Sequence, residues 1–233
     1  MENNEQTDFH IVQLLCSRLC HDLAGPAGAI HNGMEILEES PEDQEDALGL
    51  VAMSVKQLNV RLAFFRLAFG MGGLSGRKPP FSEAHDLATA YLSGGRSSLD
   101  WQDSPATTAD AQPDQKKSAE VAKLVLNMIL FAAESLPRGG VLEVRFASTL
   151  EDPAARGLMV RGVGQGASVK NDRMAALSHP VGSGGEGLTA HNVHGYFVQR
   201  MTKNLGGQLE VTAGTDEVKI AAVFKDSPRN TVI

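Results

Sequence analysis

Apolar residues recur at alternating steps of three and four over residues 48–69, and the pattern is unbroken at Leu48, Val51, Val55, Leu58, Leu62, Phe65 and Phe69. This spacing places one apolar stripe along a helix and is typical of a coiled coil or a helical bundle. A similar stripe over residues 8–39 predicts a preceding helix, with Val12, Leu15, Leu19, Leu23, Ala27, Ile30, Met34 and Leu37 on one face. Between the two, Ser40 is expected to cap the second helix, with Pro41 at its first position and Glu42 in its first turn.

Two such helices cannot enclose a core, so much of their apolar surface would stay open to solvent. Association with a second copy of the hairpin would bury that surface in a four-helix bundle, the usual arrangement for antiparallel helices joined by short loops. The pattern therefore predicts a homodimer.

The second part of the chain has a mixed α/β pattern, which begins after a linker rich in glycine and proline at residues 71–80. Helices are expected over 81–92, 120–136 and about 189–205, and strands over 97–102, 141–148, 157–163, 208–213 and 218–224. Residues 104–115 and 164–187 are expected to be irregular. The predicted fold class is α+β: a helical hairpin in residues 1–75, forming a dimeric four-helix bundle, and an α/β sandwich in residues 76–233.

Composition excludes several classes of function. The net charge of −7 argues against a nucleic-acid-binding protein, which would normally carry a basic surface. No apolar run reaches the roughly 20 residues needed to cross a bilayer, and the polar, acidic N-terminus does not resemble a secretory signal. Cys16 and Cys20 lack zinc-site spacing, and His191 and His194 have no acid or cysteine at a matching interval. We therefore expect a cytoplasmic protein without a metal site or membrane contact.

His21 occupies an unusual position in the first helix. At about 100° per residue it lies about 160° from Leu19 and Leu23, so it should point away from the apolar stripe into solvent. The residues on its own helical face are Ser17, Arg18, Ala24, Gly25 and Gly28, all very small except Arg18. Glycine costs a helix about 1 kcal/mol and proline about 3 kcal/mol, and the helix accepts both next to His21. Small neighbours would let another protein approach the imidazole.

The types of residue around His21 suit phosphoryl transfer. A largely neutral imidazole is nucleophilic near neutral pH. Asp22 can orient the ring or accept its proton, and Arg18 can contact a phosphoryl oxygen. A surface histidine beside a helix kink is the simpler explanation of the histidine alone. The combination of His21, Asp22, Arg18 and the small neighbouring residues favours a role in phosphoryl transfer.

The segment His21-Asp22-Leu23-x-x-Pro26-x-x-x-Ile30 resembles the H-box of two-component sensor histidine kinases. In that family the matching histidine is phosphorylated, the H-box helices form a dimeric four-helix bundle, and an ATP-binding α/β sandwich follows. The resemblance implies the same order of domains over nearly the whole chain.

The second domain departs from the kinases at the positions that bind nucleotide. The kinase N-box carries two asparagines, of which the second holds magnesium. The first is kept here as Asn127, but Phe131 replaces the second, and an apolar ring cannot ligate a cation that requires oxygen ligands. The kinase D-x-G-x-G motif matches residues 162–166, where Gly162 replaces the aspartate that reads adenine. Residues 182–188 resemble the glycine-rich lid, and residues 206–211 resemble the closing strand.

A dimeric H-box bundle with a degenerate ATPase-like domain is similar to the ChpT group of alphaproteobacterial histidine phosphotransferases. Length, domain order and the Leu15-Cys16-x-x-x-Cys20-His21-Asp22-Leu23 segment carry this resemblance. It implies a relay in which a receiver-domain aspartate of a hybrid kinase donates a phosphoryl group to His21 and a response-regulator aspartate accepts it. It also implies no resident cofactor, because Mg²⁺ would come with the receiver domain.

Two alternatives remain open. The chain can be an ATP-dependent kinase core whose sensor is a separate protein, although Phe131 and Gly162 speak against that. It can also be a non-catalytic pseudokinase dimer that binds a response regulator. The nucleophile in open surroundings at His21 favours the relay over that alternative, because binding alone requires no nucleophile.

Overall fold

The computed structural model describes residues 2–70, 80–102, 115–148, 155–179 and 185–225. The helices are α1 (Glu2–Glu39), a short 3-10 helix (Pro41–Asp43), α2 (Gln44–Ala68), α3 (Pro80–Leu92), α4 (Gln115–Ala133), α5 (Asn171–Leu177) and α6 (Val193–Asn204). The strands are β1 (Ser97–Trp101), β2 (Gly140–Ser148), β3 (Ala155–Val163), β4 (Gly207–Gly214) and β5 (Glu217–Lys225). We call α1 and α2 the helical hairpin and the part from α3 onward the second domain.

The hairpin helices approach each other closely at Gly33. A Cβ atom added there would lie 2.6 Å from a methyl carbon of Val51, so only glycine allows this spacing. The prediction that Ser40 caps α2 was wrong, because its side chain makes no capping hydrogen bond. The backbone NH of Asp43 instead donates to the Ser40 carbonyl oxygen at 3.1 Å. This closes a 3-10 turn and delays the start of α2 to Gln44.

The second domain has the expected two layers. Its five strands are ordered β1-β2-β3-β5-β4, with β1 and β2 parallel and the other pairs antiparallel. Alternate strand residues form an apolar face that helices cover, and Leu142, Val144, Leu158, Val160, Val218 and Ile220 are buried there. The opposite face carries ion pairs from Arg161 to Glu143 and Glu217. Alternation with period two therefore placed one face in the core and the other in solvent.

One segment of the second domain was predicted incorrectly. Residues 164–187 were expected to be irregular, but they contain α5, whose Arg173, Ala176 and Leu177 are buried. This helix is only 7 residues long and lies in a glycine-rich stretch, so its own periodicity is too short to reveal it. The predicted irregular segment at 104–115 lies outside the described residues except for Gln115, which begins α4. The predicted domain boundary after residue 75 also lies outside the described residues.

The second domain packs directly against the first half of α1. Its α5–α6 region and α1 share a small apolar cluster of buried and half-buried residues: Ile11, Leu14, Leu15, Ala176, Leu188, Val193 and Tyr196. This packing brings the second domain alongside the helical turn that carries His21.

Helix α2 is more apolar than the sequence analysis predicted. It is long and apolar enough to cross a membrane by composition alone, with a mean hydropathy of 1.2, whereas no run of that kind was expected. A single helix of this kind is weak evidence for a membrane span, because core helices of soluble proteins pass the same test.

The last turns of α2, including Phe64 and Phe65, are buried against the second domain. Leu48, Val55 and Leu62, spaced at seven residues, are instead 52%, 40% and 46% exposed. We call these three residues the apolar stripe.

Candidate functional site

The imidazole of His21 lies on the outer surface of α1. Its side chain is 79% exposed, and its Nδ1 atom lies 3.5 Å from Oδ1 of Asp22. That distance is at the outer limit of a hydrogen bond. A proton held on Nδ1 by this carboxylate leaves the lone pair on Nε2, which is the arrangement that a nucleophilic imidazole requires.

Helix α1 runs through Pro26 without interruption. Proline has no NH to donate to the carbonyl four residues earlier, so it leaves the Asp22 oxygen without a helical partner. Nη1 of Arg61 on α2 donates to this oxygen at 2.8 Å, and the Arg61 guanidinium also lies 6.0 Å from the ring centre of Tyr91. The second hairpin helix thus compensates for the proline directly beside His21.

The surface around His21 is open. Ser17, Ala24, Gly25 and Gly28 are all exposed, and a Cβ atom added at Gly25 or Gly28 would have no neighbour within 4 Å. The structure therefore leaves space next to the imidazole on the side where the sequence predicted contact with a partner.

Arg18 lies elsewhere than the sequence led us to expect. Its side chain is only 8% exposed and pairs with Glu134 at the end of α4. The other oxygen of Glu134 pairs with Nη2 of Arg173 at 3.0 Å, and Nε of Arg18 lies 3.9 Å from Oδ2 of Asp22. A buried guanidinium requires an anionic partner, and the second domain supplies one. In this conformation Arg18 joins the two domains and is not an open contact for a partner protein.

A cleft of about 590 Å³ lies between α1 and the second domain. It is lined by Ser17, Arg18, His21 and Asp22 from α1, and by Glu134, Lys170, Asp172, Arg173, Ala190 and His191 from the second domain. The rings of His21 and His191 lie edge to face, with their centres 6.3 Å apart and their planes at 79°. This pairing could not be predicted from the sequence, because the two residues lie in different domains and no periodicity links them.

The positions that bind nucleotide in kinases have structural roles here. The Phe131 ring is fully buried, and the Arg173 guanidinium stacks over it at 4.2 Å. A Cβ atom at Gly162 would lie 3.4 Å from side-chain carbons of Leu136 and Leu142, so the place of the adenine-reading aspartate is apolar. Neither environment provides oxygen ligands for Mg²⁺ or an acceptor for adenine.

Asn127, the retained N-box residue, fastens the second domain to α2. Its amide nitrogen donates to the carbonyl oxygens of Ala68 at 2.8 Å and Lys123 at 2.9 Å. Its Oδ1 atom therefore acts as acceptor, and Nε2 of His194 donates to it at 3.1 Å. Burial, followed by the positive charges of Arg18 and Arg173, holds the pKa of His194 well below its usual value.

Metal ligands do not cluster in the described parts of the chain. No group of three His, Cys, Asp or Glu side chains there has a geometry that could hold a metal ion. His194 is buried against Asn127, and His191 faces His21, so the two histidines do not act as a pair.

Comparison with known proteins gives consistent matches over nearly the whole chain. Residues 81–217 match the family described as the histidine phosphotransferase C-terminal domain. The chain is 32% identical over 213 residues to protein phosphotransferase ChpT of Brucella abortus (strain 2308), covering 90% of this chain and 93% of that protein. It is also similar to a solved bacterial phosphotransferase, with a TM-score of 0.72 and 29% identity, covering 92% of this chain and 96% of the other.

Proposed function

The chain belongs to the histidine phosphotransferase family, as its sequence predicted, and we propose that His21 is the residue that carries the phosphoryl group. The supporting observation is an imidazole that is 79% exposed on α1, with a carboxylate beside Nδ1 and small, open neighbours. A second protein can reach this ring without displacing any side chain at Gly25 or Gly28.

The proposed reaction begins with a receiver-domain aspartyl phosphate placed against His21. The lone pair on Nε2 attacks phosphorus, the bond between phosphorus and the aspartyl oxygen breaks, and the receiver leaves with a free carboxylate. Asp22 keeps the Nδ1 proton in place and compensates the positive charge that the ring gains. Transfer to a response regulator is the same step in reverse, with the carboxylate of that regulator as nucleophile.

The phosphoryl donor in this proposal is another protein and not ATP. Phe131 occupies the position of the magnesium-holding asparagine, and Gly162 faces Leu136 and Leu142 where the kinases have aspartate. The chain would have no resident cofactor, and Mg²⁺ would arrive with the partner receiver domain.

The proposed partners are the receiver domain of a hybrid histidine kinase and a response regulator. Each would dock on the exposed surface formed by Ser17, Ala24, Gly25 and Gly28 around His21. The apolar stripe on α2 would contact a second copy of the hairpin. Exposed leucine and valine side chains at seven-residue spacing would become buried in such a helix–helix interface. On α1, His21 points away from the apolar face that is predicted to lie in the bundle, so dimerisation would leave it accessible. We place the relay in the cytoplasm, where these partners operate.

The experiment that tests this proposal follows a labelled phosphoryl group. The purified chain is mixed with a phosphorylated hybrid-kinase receiver domain, and separately with labelled ATP and Mg²⁺. We expect label to move to the chain from the receiver but not from ATP, and His21→Ala should abolish that transfer. His31→Ala is the matched control, because His31 lies on the same helix with a 74% exposed side chain.

The alternatives give different results in the same experiment. Labelling from ATP would identify an ATP-dependent kinase core. Binding of the receiver without any transfer of label would identify a pseudokinase dimer. Label that persists in the His21→Ala variant would place the acceptor at another residue.

A further inference from the structure

We propose that His191 contacts the phosphoryl group carried by His21, so that the second domain supplies part of the phosphotransfer site. This inference rests on the proposed function of His21. It gives the second domain a direct role in phosphoryl transfer, whereas the proposed function uses this domain only to support α1.

The geometry of the two rings is the first argument. Their centres lie 6.3 Å apart, and both rings line the cleft of about 590 Å³. A phosphoryl group on His21 adds a phosphorus atom and three oxygens beyond the ring. An imidazole at this separation can reach those oxygens with an N–H group after a small side-chain rotation.

The ring of His191 is free to donate a hydrogen bond to a group in the cleft. Arg18 and Arg173 also line the cleft, but both guanidinium groups pair with Glu134. Among the described residues, no side chain or carbonyl hydrogen-bonds to the ring nitrogens of His191. Lys170 also lines the cleft, together with the carboxylates of Asp22, Glu134 and Asp172, so the cleft carries charges of both signs.

Helix α1 itself helps to hold the position of His191. Nη1 of Arg18 donates to the backbone carbonyl oxygen of His191 at 3.4 Å, and Arg18 precedes His21 by one turn of the same helix. The His191 backbone is therefore held relative to His21, and its ring does not depend on the second domain alone for its position.

The expected effect of His191 follows from its chemistry. A neutral imidazole can donate one hydrogen bond, and a protonated imidazole donates from both nitrogens. A hydrogen bond to a phosphoryl oxygen that becomes stronger in the transition state speeds transfer, because only such a difference in binding lowers the barrier. Loss of such a bond is expected to lower the rate constant by about tenfold.

The test compares His191→Ala and His191→Gln with the wild-type chain and with His31→Ala. Each protein is phosphorylated by the same receiver domain, and kcat and KM for transfer to a response regulator are measured together with the ³¹P resonance of the phosphorylated chain. We expect His191→Ala to lower kcat about tenfold, to leave KM unchanged and to shift the ³¹P resonance. His191→Gln, which keeps an N–H donor, should recover most of the rate.

The outcomes separate this inference from the proposed function. If His191→Ala accepts and passes the phosphoryl group with an unchanged kcat and an unchanged ³¹P resonance, the inference is overturned while the role of His21 stands. A change confined to KM would also overturn it, because His191 would then contact the partner protein and not the phosphoryl group. A glutamine variant as slow as the alanine variant would show that donation by the ring is not the cause. Labelling of His21→Ala would overturn the proposed function itself.

Discussion

The guanidinium of Arg61 donates a 2.8 Å hydrogen bond to the backbone oxygen of Asp22, the acceptor that Pro26 leaves without a helical partner. The contact links α2 to the residue that follows His21. It explains how α1 carries a proline at this point and still continues as one helix to Glu39. The backbone next to the imidazole is therefore held by the neighbouring helix and not only by its own hydrogen bonds.

Replacing Arg61 with methionine should destabilise the protein more when Pro26 is present than when it is absent. A hydrogen bond to a charged group contributes about 2 kcal/mol, and Pro26→Ala restores the NH that can satisfy the Asp22 oxygen. We expect Arg61→Met to lower the free energy of unfolding by about 2 kcal/mol in the wild-type chain and by less than half of that in the Pro26→Ala background. Urea unfolding of the four proteins measures both values. Equal losses in the two backgrounds would mean that Arg61 acts through Tyr91 and not through the carbonyl.

Enlarging Gly25 should block transfer without harming the fold. A side chain there meets nothing within 4 Å, and removing a helical glycine typically stabilises by about 0.5–1 kcal/mol. Gly25→Leu should therefore unfold at an equal or higher temperature while transferring the phosphoryl group much more slowly. Gly49→Leu is the matched control, since Gly49 is an exposed helical glycine on α2 with the same free space. Undiminished transfer by Gly25→Leu would show that partners do not dock over this part of α1.

A charge in the apolar stripe should separate the proposed dimer. Leu62 is 46% exposed in the single chain, so Leu62→Glu disturbs no intramolecular core, but it would bury a charge in a four-helix bundle. Sedimentation equilibrium should show a dimer for the wild-type chain and a monomer for this variant, with the circular dichroism spectrum retained. Val141→Glu is the control, because Val141 is 40% exposed on the sheet and should leave the mass unchanged. A dimeric Leu62→Glu protein would place the interface elsewhere.

The pH dependence of stability should include a contribution from His194. Burial holds its pKa well below 6.5 in the folded protein, so the unfolded chain binds more protons than the folded chain once the pH falls below about 6.5. The free energy of unfolding should then decrease on acidification, by at most about 1.4 kcal/mol per pH unit from this residue. His194→Gln, whose amide can still donate to Asn127, should unfold with a flatter pH profile between pH 7 and 5. An unchanged profile in His194→Gln would show that another group causes the loss of stability in this pH range.

The sequence predicted the parts of this protein that depend on local periodicity. Steps of three and four located α1 and α2, and they placed His21 opposite the apolar face, because side-chain direction in a helix follows from position alone. Alternation located the strands in the same way. Glycine-rich surroundings concealed α5, since a helix of two turns has too few residues to show a period.

The contacts between domains could not be predicted in this manner. Arg18 was expected to remain open to a partner, because on α1 alone nothing covers it. Glu134 buries it only after the second domain packs against α1. His191 had no predicted role for the same reason, and its position opposite His21 depends on the fold of a separate domain. Distances of this kind follow from tertiary packing and leave no pattern in the local sequence.

Locating the phosphoryl group on the phosphorylated chain tests the account most directly. The chain is phosphorylated by a receiver domain, kept at neutral or alkaline pH to preserve phosphohistidine, and digested for mass spectrometry with fragmentation that retains the phosphoryl group. We expect one phosphohistidine, at His21, and none in the His21→Ala variant. A phosphoryl group on any other residue, or equal labelling of His21→Ala, would contradict it.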